Sequence, residues 1–105
     1  MKKLFILATS IGFIPQNLSI SWKTDSYLWM CELQKWLREK HNSIVEIVYS
    51  KQDYTSPIKF ESTVDYFTKE LEYEITTEPE FRSEKFLKYE DALEIGLFNA
   101  LKLIK

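Results

Sequence analysis

The sequence has 105 residues, a formal net charge of −2 and a single cysteine, with 45% hydrophobic and 29% charged residues. A chain of this length is expected to form one domain, residues 1–105, and to bury roughly 60–70% of its extended surface without disulfides or a metal. Cys31 has no partner for an intrachain disulfide, which excludes a small disulfide-stapled secreted domain. A reducing compartment is therefore favoured, and we expect a cytoplasmic protein.

The N-terminal segment starts with Met1, Lys2 and Lys3 and continues with an apolar run from Leu4 to Ile14. This run is too short to span a bilayer, which needs about 20 apolar residues, so we expect no membrane segment. A basic start followed by a short apolar run is typical of a secretory signal. The alternative, which we favour, is a buried first strand at Leu4–Ala8, a turn through Gly12 and Pro15, and a second strand. In that second strand Leu18, Ile20 and Trp22 alternate with serines.

Residues 24–42 have the pattern of an amphipathic helix. The side-chain oxygens of residues 24–26 can accept from the first-turn amides, and Asn42 tolerates the left-handed turn that ends a helix. The stripe expected to face the core holds Trp29, Met30, Leu33, Trp36 and Leu37. Burial of each large side chain contributes roughly 1.5–3 kcal/mol, against tenths for helix propensity, so this stripe should fix the orientation of the helix.

Period-two alternation predicts strands in the middle of the chain. Ser43–Ser50 reads as a strand, and Ile58–Tyr66 keeps the same period. The core face of the first strand is expected to hold Val45, Ile47 and Tyr49. Leu71–Ile75 alternates in the opposite phase, which predicts a turn or bulge near residues 67–70 and an antiparallel hairpin with Ile58–Tyr66.

A row of carboxylates follows from that alternation, because Glu70, Glu72 and Glu74 lie on the side of the strand away from Leu71 and Tyr73. Same-face residues of a strand are about 6.5–7 Å apart, close to the spacing of successive phosphates along a nucleic-acid strand. One interpretation is an inhibitor that mimics phosphates and occupies the basic cleft of a host nucleic-acid enzyme. The other, which we favour, is a solvated outer face that also discourages edge aggregation.

The C-terminal segment Tyr89–Ile104 gives the clearest helical pattern in the chain. At 100° per residue one stripe collects Tyr89, Leu93, Gly96, Leu97, Ala100, Leu101 and Ile104. Gly96 on this stripe costs about 1 kcal/mol of helix propensity against Ala, so we expect it to allow close approach to the sheet or to the first helix. Phe81, Phe86 and Leu87, which precede the helix, are expected to pin their connection to the core.

Five apolar residues remain without a predicted burial site. Tyr27, Leu28 and Cys31 lie opposite the core stripe of the first helix, and Ile95 and Phe98 lie off the stripe of the last one. As a group they are candidates for a surface that binds a protein partner or mediates self-association. The alternative is that the N-terminal segment covers them.

The run Tyr89–Ile104, together with Tyr27–Asn42 upstream, resembles small uncharacterised proteins encoded by bacterial phages and mobile elements. The resemblance covers about half of the chain and implies a small intracellular α+β protein, with no activity attached. One departure is Lys88, which stands where those proteins usually have the Ser or Thr that caps the helix.

Motifs for catalysis or cofactor binding are missing from the sequence. It has no glycine-rich phosphate loop, and one cysteine with one histidine, His41, cannot supply zinc-ligand spacing. We therefore expect no enzyme, no cofactor, no metal and, because the basic residues are scattered, no nucleic-acid partner.

The predicted fold is α+β, an antiparallel sheet of three to five strands with two helices packed on one face. The predicted function is a non-enzymatic protein-interaction or regulatory module.

Overall fold

A computed structural model describes residues 1–66 and 81–104. Three helices are present in this part of the chain: α1 (Lys2–Ile11), α2 (Ser26–His41) and α3 (Tyr89–Ile104). Three strands accompany them: β1 (Ser43–Ser50), β2 (Lys59–Tyr66) and β3 (Phe81–Arg82). The predicted bounds of β1 and α3 are confirmed, and β2 begins one residue later than predicted. Helix α2 lies within the predicted residues 24–42, but the predicted side-chain cap is wrong, because the N-cap Asp25 makes no side-chain hydrogen bond to the first turn.

The strands form an antiparallel sheet in the order β1-β2-β3. Ser43 pairs with Tyr66 and Ser50 with Lys59, so the two long strands are matched along their whole length. Val64 in the central strand faces Phe81 of the short third strand. The sequence predicted Leu71–Ile75 as the partner of β2; that segment lies outside the described residues, and the described partners are β1 and β3.

Helix α3 occupies the centre of the fold. It packs on all three strands, on α2 and on α1, while α2 packs on β1 beside it. The buried residues of α3 are Ala92, Leu93, Gly96, Leu97, Ala100 and Leu101. The predicted α+β class, with two helices on one face of an antiparallel sheet, is confirmed, and α1 is a third helix that packs on α3.

Gly96 sets how closely α3 approaches the sheet. A Cβ at this position would lie 2.7 Å from the Cβ of Ser62 and 3.0 Å from Cγ1 of Val45. No room exists for a larger residue, because both neighbours are held by the strands that carry them. The expectation that Gly96 permits a close approach is confirmed, and the sheet is the surface approached.

The strand predicted at Leu4–Ala8 is wrong, because the segment is helical. Leu4 and Ala8 lie one turn apart on the same face of α1, and both are buried. The helix ends at Gly12, whose φ of +105° is a left-handed value that glycine adopts without strain. The Phe13 N–H then donates a hydrogen bond of 3.0 Å to the Ala8 carbonyl. The second strand predicted around Leu18, Ile20 and Trp22 is also wrong, because turns and bends occupy that segment.

Tyr49 was predicted on the buried face of β1 but is 75% exposed. It lies opposite Phe60, and the first residue of α3, Tyr89, packs on Phe60 with ring centroids 5.7 Å apart. Helix α3 therefore covers β2 at this level and leaves Tyr49 of β1 in solvent. Leu87, expected to pin the connection before α3, is likewise exposed, whereas Phe81 packs against the core.

Candidate functional site

The five apolar candidate residues occupy two separate places. Leu28 and Cys31 line a shallow apolar depression of about 230 Å³ together with Ile20, Glu32 and Lys35, which we call the α2 depression. It lies on the side of α2 that faces away from the sheet. Ile20 comes from the segment between α1 and α2, so the N-terminal part of the chain forms one wall of this depression.

The remaining two candidates line a cavity of about 480 Å³ between α1 and α3, which we call the α1–α3 cleft. Its lining consists of Met1, Lys2, Lys3, Leu4, Glu94, Ile95 and Phe98. None of these residues lines the α2 depression. The sequence placed all five candidates on helix surfaces but could not show that they belong to two sites.

Tyr27 does not line the α2 depression, but it interacts with Cys31, which does. A side-chain hydrogen bond with Cys31 raises the pKa of the Tyr27 hydroxyl, with smaller contributions from nearby charges and burial. The same ring contacts Tyr89 edge-on, with centroids 6.1 Å apart. Tyr27 therefore contacts Cys31 on its own helix and Tyr89 on α3.

The N-terminal segment reaches both groups of candidates, as the alternative predicted, but it covers them incompletely. Helix α1 half-buries Ile95 and Phe98, and Ile20 borders Cys31. Leu28 nevertheless remains 54% exposed. The exposed apolar surface on α2 thus persists after α1 has packed.

Cations outnumber carboxylates at the α1–α3 cleft. Lys2 and Lys3 line it, and Nζ of Lys102 lies 5.4 Å from the centre of the Phe98 ring. Glu94 is the carboxylate in the lining, and its Oε1 lies 2.7 Å from the amino group of Met1. Nothing in the sequence indicated that the two lysines belong to a site, because the segment after them was predicted to be a buried strand and not a helix packed on α3.

The other candidates do not converge on a chemical centre in the described part of the chain. Glu70, Glu72 and Glu74 lie outside the described residues, so the acidic surface stays a prediction. His41 lies in the last turn of α2, and its ring contacts Trp36 with centroids 4.6 Å apart. Among residues 1–66 and 81–104, no group of three or more His, Cys, Asp or Glu side chains could hold a metal ion.

A scan against protein-family models, a search of the curated proteins and a search of the solved structures each find no significant match. In the part of the chain that the structure describes, no helix combines the length and apolar character needed to cross a membrane.

Proposed function

We propose that this protein is a non-enzymatic interaction module of the kind encoded by phages and mobile elements, acting in the cytoplasm by binding a protein. The binding surface is the α2 depression, which includes Leu28, together with the nearby side chain of Tyr27. The partner presents an apolar segment that covers Leu28; a second copy of this chain is the alternative partner.

The observation that carries this proposal is the exposure of Leu28 beside a concave apolar surface. A single exposed leucine is ordinary on a protein surface. Here the leucine adjoins Ile20 and Cys31, so that a partner side chain could fill the depression and bury Leu28 at once. Glu32 and Lys35 give the depression a charged rim, and an apolar centre with a polar rim is the usual composition of a protein interface.

The substitution Leu28→Glu tests the proposal, because it places a charge at the centre of the surface. We expect the affinity for the partner, identified by affinity purification from the native host, to fall about 10-fold or more, as for other central interface residues. For a second copy, sedimentation velocity of the purified protein should show a dimer that Leu28→Glu converts to monomer.

Leu103→Glu is the matched control, since Leu103 is 48% exposed on α3, close to the 54% of Leu28. It introduces the same charge at a similarly exposed leucine and lines neither cavity. Binding should survive this change. Equal losses from both substitutions, or none from either, would remove the assignment to the α2 depression.

Cys31 supplies a second measurement that needs no substitution. It is the only thiol in the chain and lines the depression, so a thiol-reactive dye reports on this surface alone. We expect the labelling rate to drop when the partner is bound, because the partner covers the depression. A rate that is unchanged at saturating partner would place the interface elsewhere.

A further inference from the structure

The α1–α3 cleft has the dimensions of a small-molecule site. Its volume of about 480 Å³ falls within the roughly 300–1,000 Å³ typical of ligand pockets. Leu4, Ile95 and Phe98 supply an apolar wall, and Lys2, Lys3, Glu94 and the Met1 amino group place charges around it. A wall of this kind accepts an alkyl chain or a similar apolar body.

The charges around the cleft determine which sign of charge a ligand should carry. Lys2 and Lys3 line it, whereas the carboxylate of Glu94 is already paired with the Met1 amino group. Lys102 adds a third ammonium group over the outer wall, at Phe98. An anionic group at the mouth would therefore meet two or three cations and no unpaired carboxylate of the lining.

The start of α1 strengthens the same preference. Its first turn contains no acidic residue, and no side-chain oxygen caps its amides. The N–H groups of the first turn and the positive end of the helix dipole lie beside Lys2 and Lys3, so helix and side chains favour the same charge. The Glu94 carboxylate at the Met1 amino group is one anion that already occupies this end of the helix. The helix end is a secondary argument for an anion site. The main arguments are the volume of the cavity and the two lysines that line it.

We propose that the α1–α3 cleft binds an amphipathic carboxylate, a molecule with an apolar chain and one anionic head. The chain lies against Ile95 and Phe98, and the carboxylate is held by Lys2 and Lys3. This is a ligand site in addition to the protein-binding function proposed above, because the cleft shares no residue with the α2 depression.

Decanoate is the probe, measured by isothermal titration calorimetry below its micelle concentration. We expect saturable binding at one molecule per chain, with NMR shift changes confined to the first turn of α1 and to residues 94–98. Decanol should bind more weakly and decyltrimethylammonium not measurably, because both keep the chain but lack the anionic head.

Two variants separate the head from the chain. Lys2→Gln/Lys3→Gln should weaken decanoate at least about threefold, the effect of losing two solvent-exposed charge pairs, and leave decanol unchanged. Phe98→Ala should weaken both ligands, because it removes the apolar wall. Lys40→Gln/Lys51→Gln makes the same charge change at two exposed lysines outside the cleft and should leave both affinities unchanged.

Three results would overturn the proposal. One is equal affinity for the anionic, neutral and cationic ten-carbon probes, since charge would then play no part. Another is the same loss from the control pair of lysines as from the pair in the cleft. The third is binding to vesicles rich in phosphatidylglycerol without binding to monomeric decanoate, which would mean attraction to an anionic surface instead of a cavity. The lysine variants keep the test decisive even if Phe98→Ala fails to fold.

Discussion

At the scale of single residues, two buried serines show how hydrogen bonding decides whether a buried hydroxyl stabilises or destabilises the fold. Ser83 Oγ accepts from the Ser62 amide over 2.8 Å and donates to the Glu84 carbonyl over 2.7 Å. The hydroxyl of Ser62 is buried at the contact with Gly96 and has no hydrogen-bond partner among the described residues. Ser83 thus satisfies a backbone donor, while the Ser62 hydroxyl carries the desolvation cost of an unpaired polar group.

Ser62→Ala should therefore stabilise the protein by up to about 1 kcal/mol, because it removes an unpaired buried hydroxyl and keeps the Cβ that packs on α3. Ser83→Ala should destabilise it by about 1–2 kcal/mol, because the Ser62 amide loses its acceptor. Urea unfolding of both variants measures the difference. Destabilisation of equal size in both would show that the Ser62 hydroxyl has a partner in solution.

The sequence predicts the position of Ser62 only in part. Ser62 lies in phase with Phe60 and Val64 on β2, so alternation places it on the core face. The need for a small residue there arises from Gly96, which is distant in sequence and approaches only once α3 has docked. Periodicity thus predicts the face of the strand on which a residue lies. The residue that it contacts on α3 is known only from the tertiary structure.

At the scale of elements, the predictions that are confirmed rest on patterns specific to one structure. α2 and α3 show helical stripes of large apolar residues, and β1 alternates with period two. The apolar run that forms α1 fits a helix and a buried strand equally well by periodicity. Two features of the sequence that the strand prediction did not use favour the helix: the run is long for a strand, and Gly12 followed by Phe13 is typical of a helix end closed by a hydrophobic contact.

Gly12→Ala tests the termination of α1. No atom lies within 4 Å of the position of an added Cβ, so the cost is confined to the backbone, whose φ of +105° disfavours L-residues. We expect a loss of about 1–2 kcal/mol in the free energy of unfolding, measured by thermal or urea denaturation.

Gly12→Asn is the matched control, because asparagine tolerates positive φ better than alanine. The chain itself uses asparagine in this way at Asn42, where φ is +52° at the end of α2. Asn should therefore cost less than Ala. Equal costs would mean that the left-handed backbone does not determine the stability of this helix end.

At the scale of the whole molecule, the position of α1 decides what the candidate residues can do. The sequence showed that Leu28 and Phe98 have no place on the core stripes of their helices. It could not show that α1 forms a cleft over Phe98 and leaves Leu28 exposed, because the packing of α1 depends on contacts between residues distant in sequence. Phe5 stacks on Trp22 with centroids 4.9 Å apart, and Phe13 contacts Trp29 at 5.3 Å and Trp36 at 5.4 Å.

These contacts join α1 and Phe13 to Trp22 and α2, and α1 also packs on α3, which covers the sheet. We therefore expect α1 to unfold together with the sheet as one cooperative unit. Phe13 is buried between Trp29 and Trp36, so Phe13→Ala should cost about 3–5 kcal/mol and lower the hydrogen-exchange protection of amides in α1 and β2 alike. The neighbouring Ile14 is 69% exposed, and Ile14→Ala should change stability by less than about 0.5 kcal/mol. Loss of protection confined to α1 would instead make it a separately opening element. The α1–α3 cleft would then form and dissolve with that opening, and its ligand affinity would depend on the fraction of molecules in which α1 is docked.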